Sequence, residues 1–62
     1  MRILVTGAAG LIGSGVAARV AQDHDVIGLD INPGQHVHIV VDCFDVAEWR
    51  QQVGSIDAIV GI

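Results

Sequence analysis

The feature that most constrains this chain is a glycine-rich stretch, Thr6–Gly13, which directly follows the apolar run Ile3–Val5. A short apolar run that ends in such a turn and then opens a helix directs free N–H groups and the positive end of a helix dipole at one point. Glycine is needed there because a Cβ would push a ligand away from the backbone. The stretch therefore predicts a strand, a tight turn and a helix that together cradle a diphosphate.

An acidic residue, Asp30, closes the next predicted strand about 20 residues further on, as dinucleotide-binding folds require. Such a carboxylate accepts hydrogen bonds from the adenosine ribose hydroxyls and repels a 2′-phosphate. No arginine or lysine stands in the glycine loop or at residues 31–36, so the sequence favours NAD over NADP. Two alternatives stay open: the glycines only pack a helix on a sheet, and Asp30 only begins a turn.

The rest of the chain alternates predicted strands and helices. Strands are predicted over Arg2–Thr6, Val26–Asp30, Val37–Val41 and Ile56–Val60. Helices are predicted from Leu11 to about Gln22 and from the N-cap Asp45 to about Val53. The order β-α-β-β-α-β predicts an α/β fold, a partial Rossmann-like three-layer sandwich with a mostly parallel sheet.

Each predicted helix has an expected core face. In the first helix the spacing i, i+4, i+8 predicts one apolar stripe, formed by Ile12, Val16 and Val20. In the second helix Asp45 and Glu48 have the spacing of a capping box, and Trp49 is the expected core anchor. Gly54 is expected to end that helix.

The connection between the second and third strands is the doubtful one. Parallel neighbours usually need a dozen or more linking residues, and this link has about six. Asn32-Pro33-Gly34 can turn an antiparallel hairpin, but an extended link of about 20 Å can also run back along a five-residue strand. We expect the parallel arrangement and keep the hairpin as the alternative.

Several other polar residues invite a chemical role. Asp42 closes the third strand, where it either accepts a hydrogen bond from an adenine amino group or forms a turn before Asp45. Cys43 has no histidine at a spacing that implies a catalytic pair, so we expect a small apolar side chain. His36 and His38 share a strand face but lack a third ligand, and no metal site is expected.

Size and composition exclude several classes of protein. A chain of 62 residues is one domain at most, and its 52% hydrophobic content suits strands buried on both faces. The net charge of −4 argues against nucleic acid as a partner. No apolar run approaches the length that spans a bilayer, and the chain enters a strand without a signal peptide, so no membrane partner is expected. The single cysteine fits a reducing, cytoplasmic location.

The motifs together resemble the N-terminus of a short-chain dehydrogenase/reductase, over essentially the whole chain. Thr6, Gly7, Gly10 and Gly13 match the TGxxGxxG pattern of the extended branch, which includes nucleotide-sugar epimerases and dehydratases. Gly28–Asp30 resembles the end of the family's second strand. Asp42–Asp45 resembles its D-x-x-D segment on the adenine side, and Ile56–Val60 resembles its fourth strand. The compact link after Asp30 departs from most extended members and resembles smaller atypical reductases. Residues 1–62 are thus expected to be the N-terminal portion of an NAD(P)-binding Rossmann domain.

This resemblance implies a cofactor site with NAD as its ligand. In such a site Leu11 and Ile12 give backbone N–H groups to the diphosphate, while Asp42 and the backbone of Cys43 contact adenine. The candidate cofactor-binding residues are Gly7, Gly10, Leu11, Ile12, Gly13, Asp30, Ile31, Asn32, Asp42 and Cys43.

The family's catalytic serine and Tyr-x-x-x-Lys are not in this chain, which contains no tyrosine and whose three basic residues are all arginines. We therefore predict no catalytic residue, and no turnover by the 62-residue chain alone. The chain is expected to be the NAD-binding module of an oxidoreductase or nucleotide-sugar epimerase/dehydratase. The alternatives are a non-catalytic NAD-sensing or interaction module and an excised or engineered fragment.

A count of layers predicts association. Four strands have only two helices to cover them, and the fourth strand offers an open edge. We expect the chain to form a homo-oligomer, to pack against the remainder of a parent protein, or to be marginally stable.

Overall fold

The computed structural model describes all 62 residues, which form one four-stranded sheet and two helices. The elements are β1 (Arg2–Thr6), α1 (Leu11–Val20), β2 (Asp25–Asp30), β3 (Ile39–Val40), α2 (Val46–Val53) and β4 (Ala58–Val60). The strand order is β3-β2-β1-β4, and every neighbouring pair is parallel. The predicted α/β, Rossmann-like fold is confirmed.

The central strand β1 divides the core into two halves. Side chains alternate along a strand, so Ile3 and Val5 point to one face of the sheet and Leu4 to the other. Ala17 of α1 packs with Ile3 and Val5, and Trp49 and Val53 of α2 pack with Leu4. Each face of the sheet therefore receives one helix, as expected for a three-layer arrangement.

Helix α1 docks through small residues, and the predicted stripe is wrong at its first position. Gly13 and Ala17 are the buried residues of α1, whereas Ile12 is 69% exposed. A Cβ at Gly13 would overlap the carbonyl oxygen of Gly7, so the helix lies too close to the preceding turn for a large side chain to fit between them. Val20 does pack against the core.

The link between β2 and β3 runs back over the α1 face, and β3 is parallel to β2, so the hairpin alternative is wrong. The link passes close to Gly28, where a Cβ would overlap the carbonyl oxygen of His36. The His38 N–H donates to the Gly28 carbonyl at 2.9 Å, and the Gly28 N–H donates to His38 Nδ1 at 2.8 Å. Val37 of the link packs against the core beside Ile3 and Val5.

Helix α2 begins and ends where the sequence predicts, but without the capping box. The N-cap Asp45 makes no side-chain cap bond, because its ψ of 68° is not the extended backbone that aims an N-cap side chain at the helix. The predicted core anchor Trp49 is buried. Gly54 ends the helix at a positive φ of 69°. The Arg2 guanidinium donates to the Val53 carbonyl at 2.8 and 3.1 Å, which ties the helix end to β1.

The outer elements are shorter than predicted. Helix α1 ends at Val20 because the next residues form turns, as in the bond from the Asp23 N–H to the Val20 carbonyl. Strand β3 has only two residues, and its Val40 is exposed. Strand β4 has three residues, and its Ile59 is exposed. The two edges of the sheet are therefore only partly covered. Neither helix has the length and apolar character that a membrane crossing demands.

Candidate functional site

The turn after β1 has the backbone that its glycines predict. Gly7 has a positive φ of 71°, a backbone conformation that residues with a Cβ rarely adopt. The Gly10 N–H donates to the Gly7 carbonyl at 3.1 Å and closes the turn, and the Ser14 N–H donates to the Gly10 carbonyl at 2.8 Å. Gly13 is buried directly behind the turn. The glycines thus let the chain reverse and let α1 start against the end of β1.

The N-terminus of α1 is left without a capping side chain. Its N-cap is Gly10, and its first turn contains no acidic residue. The first N–H groups of a helix have no partner within the helix, and they attract negative charge. Leu11 and Ile12, at this first turn, are 93% and 69% exposed. A helix start of this kind favours an anionic group such as a diphosphate.

Asp30, at the carboxyl end of β2, connects two loops. Its Oδ2 accepts a bond from the Ala9 N–H at 3.0 Å, and its Oδ1 accepts one from the Asn32 N–H at 2.9 Å. These backbone bonds lower the pKa of Asp30 below its ordinary value of 3.8, and the bond from the Asn32 N–H has the largest effect. The ionised carboxylate keeps lone pairs for further donors, because each oxygen can accept two bonds. It is therefore a fixed, negatively charged acceptor beside the glycine turn.

A cleft of about 330 Å³ lies at the carboxyl ends of the strands. It brings five of the ten predicted site residues together: Gly7, Asp30, Ile31, Asp42 and Cys43. Gly10, Leu11 and Ile12 begin α1 next to Gly7 in the chain but do not line the cleft. Asn32 contributes through its bond to Asp30, and Gly13 through its packing.

Asp42 has a defined structural role as well as a position in the cleft. Its Oδ1 accepts a bond from the Phe44 N–H at 2.9 Å, and its carbonyl accepts one from the Asp45 N–H at 2.9 Å. The turn that the sequence offered as an alternative is therefore present. The second carboxylate oxygen has no protein partner, so the turn does not exclude a hydrogen bond to a ligand.

Sequence reasoning named no role for several residues that line the cleft, namely Thr6, Leu29, Val41, Phe44 and Ile62. Most of these are apolar residues at strand ends, and their position follows from the sheet order β3-β2-β1-β4. Phe44 was within reach of the sequence, because it lies inside the D-x-x-D segment. A larger depression, about 580 Å³ between α2 and β4, contains none of the predicted site residues.

The donors and acceptors of this site fit an adenine dinucleotide. An uncapped helix start suits the diphosphate, a fixed carboxylate suits the ribose, and an apolar cleft suits the base. The model of the NAD dependent epimerase/dehydratase family matches residues 3–61 of the chain. No curated protein and no solved structure matches it.

Proposed function

Because the chain belongs to the NAD dependent epimerase/dehydratase family, we propose that it binds an adenine dinucleotide and prefers NAD to NADP. The observation that carries this proposal is the position of Asp30 between the glycine turn and the apolar cleft. Its charge attracts ribose hydroxyl donors and repels a 2′-phosphate. No arginine or lysine stands in the glycine turn or in the link after Asp30 to offset that repulsion.

Each part of the ligand has its own partners in this proposal. The diphosphate lies at the first turn of α1, bound by the N–H groups of Leu11 and Ile12, and Gly7 and Gly10 allow its close approach. The ribose lies on Asp30, which the Asn32 N–H holds in place. The adenine enters the cleft beside Ile31, with its amino group on the free oxygen of Asp42 and its ring near the backbone of Cys43.

The proposed activity of this chain is binding rather than turnover. A bound nicotinamide supplies the hydride chemistry, and the residues present here bind and orient its dinucleotide. The chain has no tyrosine and no lysine to move protons on a substrate. The second candidate is a non-catalytic module that senses NAD. A parent protein whose chain supplies Tyr-x-x-x-Lys after this module would favour the first, an oxidoreductase or epimerase/dehydratase.

Calorimetric titration with NAD and NADP tests the ligand. We expect NAD to bind more tightly, and Asp30→Ala to reduce that preference by about tenfold, the value of a hydrogen bond to a charged group. Asp25→Ala is the matched control, because Asp25 is an exposed aspartate at the other end of the same strand. The proposed role of Asp30 at the ribose is contradicted if the wild-type chain binds NADP more tightly than NAD. It is also contradicted if Asp30→Ala keeps the same preference for NAD.

We also propose that the chain self-associates or packs against the remainder of a parent protein. The support is the exposed Ile59 on the edge strand β4, together with the depression between α2 and β4. Both lie away from the dinucleotide cleft, so association and ligand binding are compatible.

A further inference from the structure

The chain has two aromatic side chains, and they occupy opposite environments. Trp49 is buried in the α2 half of the core, and its indole N–H donates to the Cys43 carbonyl at 2.9 Å. Phe44 is 89% exposed and belongs to neither half of the core. The packing of the protein therefore does not account for the ring of Phe44.

The backbone that carries Phe44 is nevertheless held in place. Its N–H donates to Asp42 Oδ1, and the Asp45 N–H donates to the Asp42 carbonyl, so the turn is closed on both sides. The neighbouring Cys43 carbonyl is bound by the indole of Trp49. The turn therefore holds the backbone of Phe44 at the cleft, which this residue helps to line.

The cleft has the chemistry of a slot for a flat ring. Ile31, 66% exposed, follows Asp30 and lines the same cleft as Phe44. Leu29 and Val41 contribute apolar surface at the strand ends. The polar side chains are the two carboxylates of Asp30 and Asp42 and the hydroxyl of Thr6, so the cleft favours a ring that carries an amino group over an anion.

We propose that Phe44 lies flat against the adenine ring of the bound ligand. The inference rests on the proposed function and names the side chain that holds the base. Every nucleobase has a π face, so stacking on Phe44 supplies affinity without choosing the base. The choice belongs to Asp42, whose free oxygen accepts only from a donor such as the adenine amino group.

Proton NMR tests the contact directly, because the chain contains a single phenylalanine and no tyrosine, and the Phe44 ring signals have to be separated only from those of Trp49 and the three histidines. The probe is ADP-ribose, which carries adenine, ribose and diphosphate but no nicotinamide. We expect the ring protons of Phe44 to shift upfield during the titration and to show nuclear Overhauser contacts with adenine H2 or H8. An occupied site without these contacts overturns the inference.

Variants measure what the contact contributes. Phe44→Ala should weaken ADP-ribose binding by about 5- to 100-fold, whereas Phe44→Tyr, which keeps the ring, should stay within about threefold of the unchanged chain. Val46→Ala is the matched control, since it truncates an exposed apolar side chain that does not line the cleft. The thermal unfolding of Phe44→Ala should match that of the unchanged chain, because the ring is outside the core.

The two proposals fail in different ways. An unchanged chain that binds neither NAD nor ADP-ribose overturns the proposed function, and this inference with it. If the wild-type chain binds ADP-ribose and Phe44→Ala binds it equally well, only the role of Phe44 is overturned.

Discussion

Two glycines in α1 differ in what surrounds them, and substitution should separate their roles. A Cβ at Gly13 would overlap the Gly7 carbonyl oxygen, whereas a Cβ at Gly15 would have no atom within 4 Å. We expect Gly13→Ala to destabilise the fold by about 3 kcal/mol, because backbone must move to make room. Gly15→Ala should stabilise it by about 0.5–1 kcal/mol through helix propensity. Urea denaturation of both variants measures the difference, and equal effects would contradict the close packing at Gly13.

Asp30 should make stability depend on pH in the acidic range. The bonds from the Asn32 and Ala9 N–H groups lower the pKa of Asp30 in the folded chain, so they stabilise the ionised form. That contribution is fully present above the ordinary pKa of 3.8 and is lost as the pH falls through the lower folded value.

Asp30→Asn provides the comparison, since it keeps the shape and an acceptor oxygen but does not titrate. We expect the unchanged chain to be more stable than Asp30→Asn at pH 6 and to lose this advantage below about pH 4. The free energy of unfolding from pH 7 to pH 2 is the measurement. A constant difference over that range would show that the bonds to Asp30 do not favour its ionised form.

At the scale of elements, the short strand β3 depends on a side chain. The Gly28 N–H donates to His38 Nδ1 rather than to a backbone carbonyl. His38→Ala removes this acceptor and should cost about 1 kcal/mol and speed hydrogen exchange of the Gly28 amide. His38→Asn should recover most of the protection, because its Oδ1 lies as many bonds from the Cα as Nδ1 does. An Ala variant that exchanges as slowly as the unchanged chain contradicts the bond.

Elements whose signals are local could be predicted from the sequence. Strand β1, the glycine turn and the ends of α2 depend on residues close together in the chain, and the structure has them at the predicted places. The direction of β3 could not be settled locally. It depends on a contact between Gly28 and His36, which is eight residues later in the chain. Because Gly28 has no Cβ, the His36 carbonyl of the link can lie directly against it.

The same limit applies to side chains. The spacing of Ile12 predicts that it belongs to the apolar stripe of α1. Because α1 lies close to the Gly7 carbonyl at Gly13, however, the face that packs on the sheet contains Gly13 and Ala17 instead. At the site, the positions of Asp30 and Asp42 follow from strand ends, which meet at one edge of a parallel sheet. The turn at Asp42 is one of two alternatives that the sequence offers, but a role for Phe44 depends on the cleft, which only the folded sheet assembles.

At the scale of the whole molecule, the uneven coverage of the sheet predicts association. Residues Ile3–Val5 of β1 are buried between the helices, but β4 has a neighbour on one side only and its Ile59 is 61% exposed. Ile59 pairs in register with Leu4, so it lies on the α2 face, next to the depression that Trp49 and Val53 also line. An unpaired strand edge beside apolar surface attracts a further chain.

Sedimentation equilibrium over a wide concentration range should therefore show self-association of the 62-residue chain. Ile59→Lys should weaken it at least tenfold without unfolding the chain, because lysine on an edge strand is compatible with the sheet and discourages pairing. Val40→Lys is the matched control: Val40 is 58% exposed on the opposite edge strand, β3, which has only two residues to offer a partner. Its association should be unchanged. A strictly monomeric chain that unfolds cooperatively at high concentration would mean that two helices cover this sheet well enough, and that the open edge of β4 is tolerated in water.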